Sequence, residues 1–274
     1  MTASVHVLGT AQDGGFPHAG CACASCEAAR ENPLLRRRVS CIGLLGETGK
    51  TLMVDATPDF SAQMADLSLA ASHAARGVDA LILTHAHIGH YLGLALLGRE
   101  AMSASDVPVY CTPSMARFLE LNRPWSHLIE RGEIRLETIV PGTPLTFDGV
   151  EIHAFLTPHR GEDSDTIGLE FRGGQRTLVY VSDADVFPPE LAARIRDADV
   201  ALIDGTFYDR NELPNREILA VRHPFVTESV ERFADASGEV IFIHLNHTNA
   251  LLSPEPPVLP GRYRIAREGE LFPL

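Results

Sequence analysis

The apolar run Val78-Asp79-Ala80-Leu81-Ile82-Leu83 leads directly into Thr84-His85-Ala86-His87-Ile88-Gly89-His90. A continuous run of this length reads as a strand buried in a sheet, so the three histidines fall where the chain leaves it. That placement points to an α/β architecture, in which sites are commonly built at strand ends. Neutral imidazole is a preferred donor to zinc, iron and manganese, and three on one turn can converge on one or two cations. Chance clustering on a surface loop is the competing explanation. With 12 histidines in 274 residues it is the weaker one.

The rest of the chain alternates strand and helix signals. A first strand is expected around Val5 to Leu8, then a hairpin with Val39 to Leu45 and Thr51 to Asp55 flanking Gly46-Glu47-Thr48-Gly49. Thr57-Pro58 predicts a helix start running to about Leu67, and Tyr91 to Leu97 predicts another. Thr112-Pro113 opens a helix that ends before Pro124, after a strand over Val107 to Cys111. The second half repeats this logic. Asp148-Gly149 joins Leu145-Thr146-Phe147 to Val150 to Leu156, and Gly173-Gly174 separates Thr166 to Phe171 from Arg176 to Val181. Helices over Pro189 to Arg196 and near Thr227 to Ala236 precede the strands Val200 to Ile203 and Val240 to Ile243. Hairpins followed by alternating helices and strands, twice over, predict two packed sheets with helices outside. No linker divides the halves, so residues 1–274 read as one domain.

Further candidate ligands sit just past predicted strands. His159 follows Ile152 to Leu156, Asp183 follows Leu178 to Val181, and His244 follows Val240 to Ile243. Each alone would read as a satisfied buried histidine or a turn-capping aspartate. As a set with His85, His87 and His90 they read as ligands. Three of the five cysteines lie together as Cys21-Ala22-Cys23-Ala24-Ser25-Cys26, spaced for thiolate binding of a tetrahedral metal rather than for mutual disulfides. Cys41 and Cys111 read as small core residues.

A net charge of −13 argues against nonspecific binding to nucleic acid or an anionic membrane, while a site metal would still admit an anionic small molecule. The N-terminal stretch lacks a basic segment and a long apolar run, and no run reaches a membrane span, so a cytoplasmic protein is expected.

The order His85-x-His87-x-x-His90, then His159, Asp183 and His244, resembles the metallo-β-lactamase superfamily. The resemblance implies an αββα sandwich with its metal site between the two sheets. It places His85, His87 and His159 on one metal, with Asp183 bridging to a second held by His90 and His244. Asp55 would support the metal loop from behind. A narrower resemblance covers most of the chain. Gly14-Gly15-Phe16-Pro17 with the cysteine loop, Pro58-Asp59, Pro158-His159-Arg160, Asp204-Gly205-Thr206-Phe207 and Ile243-His244-Leu245-Asn246-His247-Thr248-Asn249 are similar to the pyrroloquinoline quinone (PQQ) biosynthesis B proteins. The cysteine loop, near residues 14–30, and the closing His-x-x-His also look like the phosphodiesterase of the carbon–phosphorus lyase pathway. That likeness implies a structural zinc on Cys21, Cys23, Cys26 and His247.

The superfamily motif usually carries aspartate immediately before its third histidine, where this chain has Gly89. The second position is therefore expected to lack one donor, giving one tight and one weak active-site metal (zinc, manganese or iron). Gly89→Asp is expected to raise second-site occupancy. The leading functional expectation is a metal-dependent hydrolase of a phosphodiester or cyclic phosphate. Asp183 would serve as water-orienting group and His223 as general acid, against a plain packing role for His223 near Trp125 or Phe225. Arg160, Asp204 and Asp209 are weaker candidates for substrate or supporting contacts. The alternatives are an iron-dependent oxidative step in making a peptide-derived cofactor such as PQQ, and non-catalytic binding of an intermediate. Homodimerisation is left open.

Overall fold

The computed structural model describes residues 2–71, 77–174, 176–212 and 222–274. Among them the strands form two seven-stranded sheets. The first contains β1 (Ser4–Gly9), β2 (Cys41–Leu45), β3 (Thr51–Val54), β4 (Ala80–Ile82), β5 (Val107–Cys111) and β6 (Ile134–Thr138). The second contains β7 (Pro144–Phe147), β8 (Val150–Leu156), β9 (Ile167–Gly173), β10 (Arg176–Val181), β11 (Val200–Asp204), β12 (Glu239–Ile243) and β13 (Arg264–Ile265). The last strand, β14 (Leu271–Pro273), returns to the first sheet and pairs with β1. Each sheet has an antiparallel part, β14-β1-β2-β3 or β7-β8-β9-β10, continuing into a parallel part, β3-β4-β5-β6 or β10-β11-β12-β13.

The burial pattern explains why these segments pair as they do. β2, β3, β4 and β11 are buried at every position, as strands covered on both faces require. β7, at the sheet edge, is buried only at Phe147. Val5, Val7, Ile42, Leu44, Val54 and Ile82 of the first sheet pack with Ile152, Leu169, Tyr180, Leu202 and Ile243 of the second in one buried cluster. The outer face of the first sheet is covered by helices that include Phe60–Ala70, Pro113–Leu121 and Trp125–Glu130. Helices Pro189–Asp197 and Val226–Arg232 cover the outer face of the second. The layers are thus helix, sheet, sheet, helix, as the motif order implied.

Local chemistry sets most boundaries. Thr112 caps helix Pro113–Leu121, its hydroxyl accepting the Met115 N–H at 3.3 Å. Asp148 and Gly149 both have positive φ, the conformation of a two-residue hairpin turn. The Asp148 carboxylate also accepts the Thr48 and Lys50 N–H groups, tying the hairpin turns of the two sheets together. One expected start shifts. Helix Phe60–Ala70 begins three residues after Thr57, because the Thr57 hydroxyl instead accepts the Asp59 N–H and closes a local turn. His90 lies in a short helix, Ile88–Tyr91, that continues as a 3-10 helix over Leu92–Leu97, so the helix expected over Tyr91 to Leu97 starts earlier and tightens. Among the described residues no helix is long and apolar enough to cross a membrane.

Candidate metal centre

The parallel strands converge at their C-terminal ends, and the site is built there. Asp55 follows β3, His85 follows β4, Asp183 follows β10, Asp204 ends β11 and His244 follows β12. Asp55 and His244 have φ of 71° and 62°, a left-handed conformation that costs a non-glycine residue roughly 1–2 kcal/mol. The bend at His244 brings its ring to the cluster, and the bend at Asp55 brings its carboxylate to His90 Nδ1 behind it.

The ligand atoms of His85, His87, His159 and Asp183 all lie within 4.8 Å of one another. His159 Nε2 is 3.2 Å from His87 Nδ1 and 3.7 Å from Asp183 Oδ1. On the far side of Asp183, His90 Nε2 is 3.4 Å from Oδ2 and His244 Nε2 is 3.4 Å from Oδ1. Asp183 therefore stands between two donor groups. Two donors each about 2.1 Å from one cation at a tetrahedral angle lie about 3.4 Å apart, so these spacings fit shared divalent ions.

The buried polar inventory makes the same point. His85 Nε2, His90 Nε2, His244 Nε2, Asp183 Oδ2 and Asp13 Oδ1 are buried and have no hydrogen-bond partner. Each such atom costs free energy unless something satisfies it, and cations held by the two donor groups would satisfy all five. The outward nitrogens, by contrast, are held. Thr84 Oγ1 lies 2.9 Å from His85 Nδ1, Asp185 Oδ1 2.9 Å from His159 Nδ1, Asp55 Oδ2 2.7 Å from His90 Nδ1 and Thr206 Oγ1 3.0 Å from His244 Nδ1. Partners of this kind fix ring orientation and aim the free nitrogen inward. Asp55 also accepts the Thr84 N–H, so it braces the loop and does not join the ligand cluster.

Electrostatics agree with ligand roles. Burial pushes His85, His87 and His159 below the ordinary histidine range, which keeps them neutral. Burial opposes charge on Asp183, but the neighbouring imidazoles, His244 and His90 foremost, outweigh it and hold the carboxyl well below its usual range. His90 goes the other way. Burial lowers it, yet Asp55 and Asp183 with Asp13 raise it well above 6.5. A proton on His90 and a divalent cation are alternative ways of balancing the same carboxylates.

His223 stands beside the centre. Its ring is 5.3 Å from that of His159 and 6.2 Å from that of His244, and Asp204 Oδ2 lies 2.6 Å from its Nδ1. The aromatic ring beside it is Phe207, at 5.8 Å, while Trp125 packs against Tyr91 and Phe118. Asp204 is fully buried and also accepts the Ala184 and Thr206 N–H groups, so it holds His223 and cannot meet a substrate. Arg160 is exposed on the loop after His159, close enough to repel charge on His87 and His223. Asp209 lies outside the cluster, its carboxylate accepting the Asn211 N–H within its own turn.

A second group of donors forms at the N-terminal loop. Cys21, Cys23 and Cys26 Sγ lie 3.4, 3.8 and 3.8 Å from His247 Nδ1. A tetrahedral zinc with sulfur at about 2.3 Å and nitrogen at about 2.1 Å separates these atoms by about 3.6 Å. Burial pushes the Cys23 thiol up, but the Cys26 backbone and the neighbouring Cys21 thiol outweigh it and bring it below its usual range. Cys41 and Cys111 are fully buried, as core residues would be.

Asp13 is the residue near the cluster that sequence reading missed. Its Oδ1 lies 3.3 Å from His90 Nε2 and 3.7 Å from His244 Nε2. In the sequence, Asp13-Gly14-Gly15 reads as a turn. The available signal was Gly89 itself, a gap in the motif that calls for a carboxylate from elsewhere. Thr84, Asp185 and Thr206, which orient the histidines, were also missed, since hydroxyls and a strand-end aspartate carry no distinctive spacing.

Comparison with known proteins agrees with this geometry. A family model described as a beta-lactamase superfamily domain matches residues 50–245. The chain is 27% identical over 267 residues to coenzyme PQQ synthesis protein B of Ruegeria pomeroyi, covering 89% of each. It is 29% identical over 299 residues to the protein of that name from Cupriavidus necator, covering 97% of this chain and 95% of the relative. Zn(2+)-bound PqqB from Methylobacterium extorquens shares the fold with a TM-score of 0.83 at 23% identity, over 99% of this chain and 100% of that one. A diphosphatase from the PhnP family does so with a TM-score of 0.72 at 21% identity, over 99% and 97%. That family match spans well over half of the sequence and fits the two-sheet sandwich: the chain belongs to the beta-lactamase superfamily.

Proposed function

We propose that the chain is a metal-dependent hydrolase acting on a phosphodiester or cyclic phosphate. The observation that carries this reading is the Asp204–His223 pair set against a centre of converging, unpartnered donors. His85, His87, His159 and Asp183 would hold one cation, and Asp183, His90 and His244 a second. Bound divalent cations supply a nucleophile at neutral pH and polarise the phosphoryl oxygen under attack. Asp183, whose carboxylate faces both donor groups, would orient the attacking water. His223, with Nδ1 engaged by Asp204 and Nε2 without a hydrogen-bond partner among the described residues, would protonate the leaving oxygen, and the buried Asp204 carboxylate would stabilise the imidazolium that acts as acid. Arg160 offers a positive charge at the mouth for an anionic substrate. Zinc, manganese and iron all suit this donor set.

Leaving-group dependence tests the reading. His223→Gln is expected to slow hydrolysis of alkyl phosphodiesters by roughly a hundredfold or more, as loss of a general acid does. Bis(p-nitrophenyl) phosphate, whose leaving group needs no proton, should lose far less. An equal loss on both substrates would remove the acid assignment. The pH profile adds a second readout. Burial lowers His223, but Asp204 outweighs it and holds the pKa at about 9. Nearby cations draw that value down. The protonated ring is the working form, so activity should fall as pH rises through the resulting value, and His223→Gln should abolish that limb.

A second reading is favoured by one specific finding, the likeness to coenzyme PQQ synthesis proteins along nearly the whole chain. Under it the same centre, loaded with iron, would serve an oxidative biosynthetic step. Loading the metal-free protein with zinc, manganese or iron separates the two. Phosphodiester turnover with zinc or manganese supports hydrolysis, and oxygen consumption confined to the iron form supports the second reading.

A further inference from the structure

We propose that Asp13 completes the second cation position, entering from the N-terminal loop to take the place that Gly89 leaves open in the motif. The proposal rests on the two-cation centre described above. Asp13 Oδ1 is buried, has no hydrogen-bond partner and lies within 3.7 Å of both His90 Nε2 and His244 Nε2. The same two nitrogens each lie 3.4 Å from an Asp183 carboxylate oxygen.

Gly89 and Asp13 are sterically complementary. A Cβ built on Gly89 would stand 2.3 Å from Asp13 Oδ1 and 2.7 Å from Asp13 Cα. Any side chain at residue 89 therefore competes with Asp13 for the same volume. A carboxylate at 89 and a carboxylate at 13 exclude one another, so the chain has moved the donor rather than lost it. The expected benefit of Gly89→Asp is thereby reversed: the substitution would push against the Asp13 backbone.

The loop is fixed in a way a ligand needs. Thr10 N and Ala11 N donate to Arg38 O, Gln12 N donates to Leu245 O at 2.9 Å, and Leu245 N donates to Thr10 O at 2.9 Å. The last two bonds join the Asp13 loop to the residue next to His244, so both ligands ride on one hydrogen-bonded unit. Preorganised donors bind a cation without a further ordering cost.

Titration of the metal-free protein with manganese and with zinc, counting cations by elemental analysis, tests this without any substrate. Beyond the cysteine cluster's own ion, the wild-type chain is expected to take up two. Asp13→Asn, which keeps the side-chain shape, should weaken the second by tenfold or more and leave the first unchanged. An unchanged titration in Asp13→Asn overturns the proposal, as does a wild-type centre that accepts a single cation. If Asp13→Asn fails to fold, Gly89→Ala gives an independent answer. It removes no donor, yet it should cost the second cation by displacing Asp13, and full retention would overturn the proposal. Absence of phosphodiester turnover would sink the hydrolase reading and leave this stoichiometry standing.

Discussion

His87→Ala is expected to strip the first cation position and to reduce turnover by more than a hundredfold, with the fold intact. Replacing residues that merely orient metal ligands commonly costs ten- to a hundredfold in affinity or activity, so removing a ligand should cost more. His87 suits the test better than its neighbours. His85 is 1% exposed and lies within the layer of packed side chains, where truncation would leave a cavity. The His87 side chain is 21% exposed and faces Glu162 across 3.8 Å on its outer edge, so water can fill the space it leaves. The inner Nδ1, 3.2 Å from His159 Nε2, is the atom that would be lost. Elemental analysis should show one active-site cation fewer, and the melting temperature should stay close to that of the unmodified chain. Asp183→Asn should be the more damaging change, because Asp183 faces His159, His244 and His90 together. Full metal content and undiminished turnover in His87→Ala would show that the centre lies elsewhere.

Much of this centre is legible in the sequence, for a physical reason. Ligands at strand ends follow long apolar runs, and a run such as Val240 to Ile243 announces itself through burial on both faces. His85, His159, Asp183 and His244 inherit their legibility from the strands they follow. Asp13 has no such escort. It sits in a loop between Gly9 and the cysteines, and its partners His90 and His244 are far away in sequence. Only the fold brings them together, through the bonds of Thr10 and Gln12 to Leu245. The same holds for Asp204. Its aspartate was visible at the end of β11, yet its function depends on His223 arriving from a separate loop to meet it at 2.6 Å. At element ends the limits were local. Helix Phe60–Ala70 starts later than Thr57-Pro58 suggested, because a threonine hydroxyl closes a turn as readily as it caps a helix. β14 is three residues long and escaped notice because its register comes wholly from β1.

His247→Ala is expected to lower the melting temperature by on the order of 10 °C, with Cys23→Ser acting in the same direction. The reason lies in which segments the cysteine cluster joins. Cys21 and His247 are separated by 226 residues, so a metal shared between them closes almost the whole chain into a loop. A cross-link over such a distance stabilises by roughly 5 kcal/mol in the chain-entropy account, and real cross-links often deliver less. Each kcal/mol moves the midpoint by roughly 2–4 °C for domains of 150–250 residues. Among the described residues His247 is the cluster's one donor from the C-terminal segment, so its loss severs the link, whereas Cys23→Ser leaves three donors and should weaken it less. The two segments also carry active-site residues. Asp13 precedes the cysteines, and His244 precedes His247 by three residues. Loosening the clamp should therefore weaken the second cation position along with stability. The His85, His87 and His159 position is built from other segments and should keep its cation. Thermal melts paired with cation titration distinguish this from general destabilisation, which would weaken both positions alike. A His247→Ala protein that melts with the unmodified chain would mean that the cluster carries no structural metal.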